Sequence, residues 1–185
     1  MTTRCILQMA LLLCFSTTAL FRSYNLLQFQ QRRSAMACQK LLKQLSGNPE
    51  SCLDDRMNFQ VPEEINQPRQ FQKEDTALII YEMLHQIFGI FRRNFSSTGW
   101  NETVIENLRA ELYQQMDRLD TILEEYMEED NSTWGNVKTL VHLKKYYSRI
   151  IQYLKAKDYS SCAWTIVRME TLINFSIIRS LIDYL

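Results

Sequence analysis

Apolar residues recur three or four positions apart over five long stretches of the chain, and this spacing predicts five α-helices. The stretches cover residues 23–45, 71–93, about 101–127, about 136–157 and about 161–183. We find no alternation typical of β-strands, no internal repeat and no low-complexity segment. Gly (4) and Pro (3) are scarce, which argues against a loop-rich or all-β fold. The sequence therefore predicts an all-α protein.

A long connection separates the first two predicted helices, whereas short turns join the others. Residues 46–70 contain all three prolines and several apolar residues that are expected to cover the core. A long connection allows successive helices to run parallel, while short turns make successive helices antiparallel. If the fourth helix serves as a second crossover, the other four form an up-up-down-down bundle. The second and fifth helices, which are apolar on two sides, fit its central positions.

The start of the fifth predicted helix, residues 159–170, combines a cysteine, an aromatic residue and an arginine. Ser160 or Ser161 can cap this helix by accepting from a free backbone N–H of its first turn. Three residues at helical spacing are predicted to continue its buried face: Ile166, Met169 and Ile173. Arg168 lies off that row and is expected nearer to solvent. The segment can be a packing helix alone, or one that also presents a charge.

The first 21 residues have the features of a secretory signal peptide, and residues 22–185 then form one domain. Arg4 supplies the positive start, and the apolar run 5–15 is too short to span a bilayer. The small-residue rule alone favours cleavage after Ala19. Because no later run of about 18 apolar residues follows, we expect an exported protein without membrane insertion.

Three cysteines remain outside that segment, and an odd number in an oxidising compartment indicates one bridge and one free thiol. Cys52 follows the turn at 47–49 and is expected on a loop, and Cys162 is accessible at a helix start. Cys38 lies on a leucine-rich helical face, where a thiol behaves as a small apolar group. We therefore predict a Cys52–Cys162 disulfide and a free Cys38.

Catalysis, cofactors and metals are not expected from these residues. His85 and His142 each lie on a predicted helix without the spacing of a metal site. No glycine-rich phosphate loop is present, and Cys38 lies on a leucine row rather than in a polar cleft. With 21 basic and 21 acidic residues, the chain also lacks the positive field that nucleic-acid binding requires.

Four Asn-x-Ser/Thr sequons are candidate glycosylation sites in an exported chain. Asn101 and Asn131 fall at predicted helix starts beside turns, where the acceptor amide is expected to be exposed. Asn94 lies at the end of the second predicted helix and is intermediate. Asn174 lies in the middle of the fifth helix and is the least favoured site.

Several segments resemble the type I interferon family over the whole chain, the signal segment included. The sequence Cys-Ala-Trp-Thr-Ile-Val-Arg at 162–168 is similar to a signature near the family's C-terminus. The segments at 23–27, 71–75, 97–103 and 153–157 are similar as well. The resemblance implies a monomeric, secreted helical cytokine whose signal is cleaved before Arg22.

The resemblance also implies a function, which is to bridge the two different chains of the type I interferon receptor. Their associated Janus kinases would then phosphorylate STAT transcription factors, giving antiviral, antiproliferative and immunomodulatory responses. Five positions match the family's surface for the high-affinity receptor chain: Leu53, Arg56, Arg168, Met169 and Leu172. Five others match its surface for the second receptor chain: Phe88, Arg93, Val104, Tyr113 and Lys144. The alternative is a secreted helical-bundle carrier of a lipid or small molecule, which would need an internal cavity.

Overall fold

The computed structural model describes residues 24–129 and 137–185, and the side chains of residues 24–124 and 137–185. The predicted signal peptide and Asn131 lie outside these ranges. The described helices are α1 at residues 24–44, α2 at Lys73–Phe91, α3 at Glu102–Glu129, α4 at Val137–Ala156 and α5 at Ser161–Ile182. Their ends lie within two residues of the predicted ones, and the described residues form no strand.

The α1–α2 loop, residues 45–72, is ordered by three short 3₁₀ helices. These are Pro49–Asp55, Glu63–Asn66 and Pro68–Gln70. Phe59 and Ile65 project from the loop into the core and are almost fully buried. The long connection therefore covers the bundle as predicted at these two residues, whereas its apolar residues Leu53 and Met57 are exposed.

Hydrogen bonds at both ends of α1 define its orientation in the bundle. Gln28 Nε2 near the start of α1 donates to the carbonyl oxygen of Ile182 at the end of α5, at 2.9 Å. Arg168 near the start of α5 donates to the carbonyl of Leu42 near the end of α1. The two helices therefore run antiparallel.

The starts of α1 and α2 lie together, because the Tyr24 hydroxyl donates to Glu74 Oε1 at 3.1 Å. The two helices are therefore parallel, as the long connection allows. The short links from α2 to α3 and from α4 to α5 reverse the chain direction. The helices α1, α2, α3 and α5 thus form the predicted up-up-down-down bundle, with α4 as the second crossover.

Helices α2 and α5 occupy the centre of the bundle, as their two-sided apolar character predicted. They contribute nine and twelve buried residues to the core. The predicted buried row of α5 was right at Ile166, which is 8% exposed, but wrong at Met169 and Ile173, which are 37% and 50% exposed. The buried side is centred on Val167, Thr171 and Asn174, since α5 packs against α1, α2, α4 and the loop.

A polar cluster lies inside the interface between α4 and α5. The Tyr147 hydroxyl donates to Asn174 Oδ1, and Asn174 Nδ2 donates to the Tyr146 hydroxyl, both at 2.6 Å. The Tyr146 hydroxyl in turn donates to Glu170 Oε1 at 2.6 Å. Asn174 is only 1% exposed, and the nitrogen that would carry a glycan is already engaged. This placement supports the low ranking of its sequon.

We expect Asn174→Ala to lower the free energy of unfolding by about 1–3 kcal/mol, because a buried tyrosine hydroxyl loses its acceptor. Urea unfolding followed by circular dichroism measures this change. Ser176→Ala is the matched control, since Ser176 is exposed and its replacement removes the same sequon without touching the cluster. Equal effects of the two substitutions would contradict the structural role of Asn174.

Candidate interaction surfaces

A disulfide between Cys52 and Cys162 joins the α1–α2 loop to the start of α5, with the two Cα atoms 5.3 Å apart. This confirms the predicted pairing. Ser160 caps the helix there, its Oγ accepting from the backbone N–H of Ala163 at 3.3 Å. The bridged residues are 110 positions apart, and in the chain-entropy model such a bridge stabilises by about 4–5 kcal/mol.

The remaining described cysteine, Cys38, is a free thiol in the core. Gln115 Nε2 lies 3.3 Å from its sulfur. Burial raises the pKa of Cys38 to about 12, because the interior disfavours the charged thiolate. The thiol is therefore a packing group.

The disulfide brings two exposed apolar segments together. The 3₁₀ helix Pro49–Asp55 packs against α5, and it carries Leu53, whose side chain is 54% exposed. Met169 is exposed on α5, and Leu172 is half-buried beside it. Arg56 is exposed at the end of the 3₁₀ helix. We call Leu53, Arg56, Met169 and Leu172 the loop–α5 surface.

Arg168 does not belong to the exposed part of this surface, and the prediction that it lies nearer to solvent was wrong. Its residue is 6% exposed. One guanidinium nitrogen donates to the Gly47 carbonyl at 2.8 Å and another to the Leu42 carbonyl at 3.4 Å. Carbonyl groups at the end of a helix lack intrahelical donors and favour a cation. Arg168 satisfies this need for α1, although burial lowers its pKa.

Gly47 allows the chain to pass close to α5 at this point. Its φ is +127°, a conformation that favours glycine. A Cβ at this position would lie 2.3 Å from Thr165 Oγ1. Any larger residue would therefore be strained at this φ and would force Thr165 or the start of the loop to move.

A second surface is a groove of about 390 Å³ formed by α2, α3 and one residue of α4. Phe88, Arg93 and Tyr113 line it, so the structure brings three of the five second-surface residues together. We call it the α2–α3 groove. Val104 is half-buried against the core, and Lys144 is exposed on α4; neither lines the groove.

Arginine groups give the groove a polar rim. The Arg92 guanidinium lies over the Phe88 ring, 5.7 Å from the ring centre. A cation in this position is attracted by the negative face of the ring. The Nε atom of Arg93 is buried and has no hydrogen-bond partner among the described residues. The sequence resemblance indicated three of the residues that line the groove, but not Arg92 or the acidic Asp117 and Asp120.

Both histidines contact other side chains of the protein. His142 Nδ1 lies 2.8 Å from Glu64 Oε1 and links α4 to the α1–α2 loop. His85 stacks on Tyr81, with the ring centres 6.3 Å apart. Within residues 24–124 and 137–185, no group of three or more His, Cys, Asp or Glu residues is placed to hold a metal ion.

Two sequons have exposed asparagines beside turns. Asn94 Oδ1 accepts from the N–H of Ser96, and Asn101 Oδ1 accepts from the N–H of Thr103, each at 2.9 Å. These bonds engage the oxygen of each amide and do not involve the nitrogen, to which a glycan would attach. In the part of the chain that the structure describes, no helix combines the length and apolar character of a membrane span.

The fold agrees with comparisons to known proteins. A model of the interferon alpha/beta domain matches residues 27–185. The chain belongs to the type I interferon family. It is 63% identical to interferon beta of Macaca fascicularis and 62% identical to interferon beta of Homo sapiens. Each alignment covers 185 residues, 100% of this chain and 99% of the relative.

More distant relatives agree with this assignment. Interferon beta of Mus musculus is 49% identical, over 98% of this chain and 97% of the relative. The structure of zebrafish interferon 1 superimposes with a TM-score of 0.68 at 16% identity, covering 83% of this chain and 94% of the other. This last likeness concerns the fold alone. The family resemblance is confirmed, and the chain is a type I interferon cytokine rather than an enzyme.

We expect Cys38 to be unreactive in the folded interferon. With a pKa of about 12, the thiolate fraction at pH 8 is about one in ten thousand, and the thiolate is the reactive form. Alkylation followed by mass spectrometry of the Cys38 peptide should show no adduct in buffer and full labelling in concentrated urea. Cys38→Ser provides the background signal. Rapid labelling in buffer would contradict the buried placement.

Proposed function

We propose that this interferon is secreted and bridges the two chains of the type I interferon receptor. The bridged chains bring their associated Janus kinases together, and these phosphorylate STAT transcription factors. Antiviral, antiproliferative and immunomodulatory responses follow inside the target cell. The observation that carries this proposal is the presence of two separate exposed surfaces on different helices of one bundle.

The high-affinity receptor chain binds the loop–α5 surface. Leu53 and Met169 offer exposed apolar side chains that a partner can desolvate, and Arg56 adds a charge at the edge. Interfaces of this type combine a few apolar anchors with a polar rim. The disulfide holds the loop and helix contributions in one position relative to each other.

The second receptor chain binds the α2–α3 groove, with Val104 and Lys144 at its periphery. Tyr113 is exposed and has an apolar ring with a polar tip, and tyrosine and arginine are frequent interface anchors. Arg93 also lines the groove, and its guanidinium N–H groups can donate to a partner's carbonyl or carboxylate oxygen.

Export and glycosylation complete the proposal. Residues 1–21 act as the signal peptide, cleavage occurs before Arg22, and residues 22–185 act as a monomer. Asn101, Asn131 and Asn94 carry glycans in that order of preference. The carrier alternative has no support, since the bundle centre is filled by large buried side chains such as Trp164, Tyr146 and Phe91.

We expect the two surfaces to be separable by single substitutions. Leu53→Ala should weaken binding to the high-affinity receptor chain by at least about tenfold, and Tyr113→Ala should do so for the second chain, because each removes an anchor side chain. Surface plasmon resonance with each receptor ectodomain measures the two affinities. Both variants should be less potent than the unchanged chain in a reporter assay with receptor-bearing cells.

Matched controls are available on the same elements. Asn66→Ala changes an exposed loop residue, and Asn107→Ala changes an exposed residue of α3; neither belongs to the proposed surfaces. Both should bind like the unchanged chain. The two-surface assignment would be contradicted if either anchor variant lost affinity for both receptor chains. It would also be contradicted if either variant kept full affinity for both.

A further inference from the structure

The first turn of the α1–α2 loop is fixed to α5 at a second point, separate from the disulfide. Arg168 of α5 donates to the Gly47 carbonyl at 2.8 Å and to the Leu42 carbonyl at 3.4 Å. Gly47 lies so close to α5 that a Cβ would come within 2.3 Å of Thr165 Oγ1. We call Gly47, Thr165 and Arg168 the loop anchor.

We infer that Arg168 is a positioning residue for the loop–α5 surface and acts on receptor binding through the loop, without being a contact residue itself. The inference rests on the proposed function of that surface. Arg168 is 6% exposed, so it offers a partner little area, and its Nε, which has no hydrogen-bond partner among the described residues, is buried as well. Its charged group is directed inward, to two backbone carbonyls of its own chain.

The loop anchor lies close in sequence to the side chains that it would position. Gly47 precedes Cys52 by five residues, Leu53 follows Cys52 directly, and Arg56 lies three residues further on. The segment is thus held to α5 at Gly47 and again at Cys52. Trp100 Nε1 also donates to the Ser46 carbonyl, and the Tyr153 hydroxyl donates to the Asp55 carbonyl, both at 2.7 Å. Loss of one attachment to α5 is therefore expected to shift the 3₁₀ helix Pro49–Asp55 relative to Met169 and Leu172 rather than to release it.

The chemistry requires an arginine at this place. The guanidinium presents several N–H donors in a fixed fork, so it can donate to two carbonyls at once. A lysine ammonium is a point charge on a flexible stem and is strongly hydrated. Arg168→Lys keeps the positive charge, but it should therefore not keep the loop in its position.

Four variants test this inference: Arg168→Ala, Arg168→Lys, Gly47→Ala and the double variant Gly47→Ala with Arg168→Ala. Each single variant should weaken binding to the high-affinity receptor chain by about tenfold while binding to the second chain stays within about twofold. The double variant should bind the high-affinity receptor chain with about the same affinity as the weaker-binding of its two single variants. The effects should not add, because both substitutions disrupt one shared contact. Hydrogen exchange should accelerate at amides 46–57 in the free variants and remain unchanged in α2.

Gly47→Ala is the decisive arm, because it disturbs the loop anchor without altering any charge or any exposed side chain of α5. If Gly47→Ala binds like the unchanged chain while Arg168→Ala loses affinity, Arg168 contacts the receptor directly and the inference is wrong. Full affinity in Arg168→Ala, or rescue by Arg168→Lys, also overturns it. Failure of the unchanged chain to bind the high-affinity chain would refute the proposed function instead.

Folding is checked separately by circular dichroism and by retained binding to the second receptor chain. Where Arg168→Ala does not fold, Arg168→Lys and Gly47→Ala carry the same comparison.

Discussion

The attachment of the α1–α2 loop to α5 is the constraint on which the rest of this structure depends. A loop of this length has many conformations, and ordering it costs conformational entropy. The Cys52–Cys162 disulfide and the Arg168 hydrogen bonds hold it at two places. Two segments that are 110 residues apart in the chain thereby become one continuous surface. Buried Phe59 and Ile65 hold the middle of the loop, while the attachment to α5 fixes its first part beside Met169 and Leu172.

Helix packing supplies the rigid background for both surfaces. Large apolar side chains fill the centre, and the Tyr146–Asn174–Tyr147 cluster fixes how α4 packs on α5. A buried polar cluster whose groups pair with one another favours one arrangement of the two helices. The groove on α2 and α3 is built on the same core, so the spacing of the two surfaces follows from the packing.

Sequence periodicity predicted the five helices, their order and the topology, because each helix carries a long apolar face and the turns differ clearly in length. The disulfide followed from the accessibility of Cys52 and Cys162 and the apolar surroundings of Cys38. The buried side of α5 was not predictable in the same way. Met169 and Ile173 lie on an apolar row, yet they are exposed, since the neighbours of α5 decide which side is buried. The burial of Arg168 likewise depends on where α1 ends.

The proposed function requires one interferon chain to engage both receptor chains at the same time through different surfaces. Light scattering coupled to size-exclusion chromatography, with the two purified ectodomains in excess, measures whether this happens. We expect a ternary complex whose mass is the sum of one interferon and one copy of each ectodomain. Two binary complexes without a ternary species, with each ectodomain displacing the other from the interferon, would contradict it.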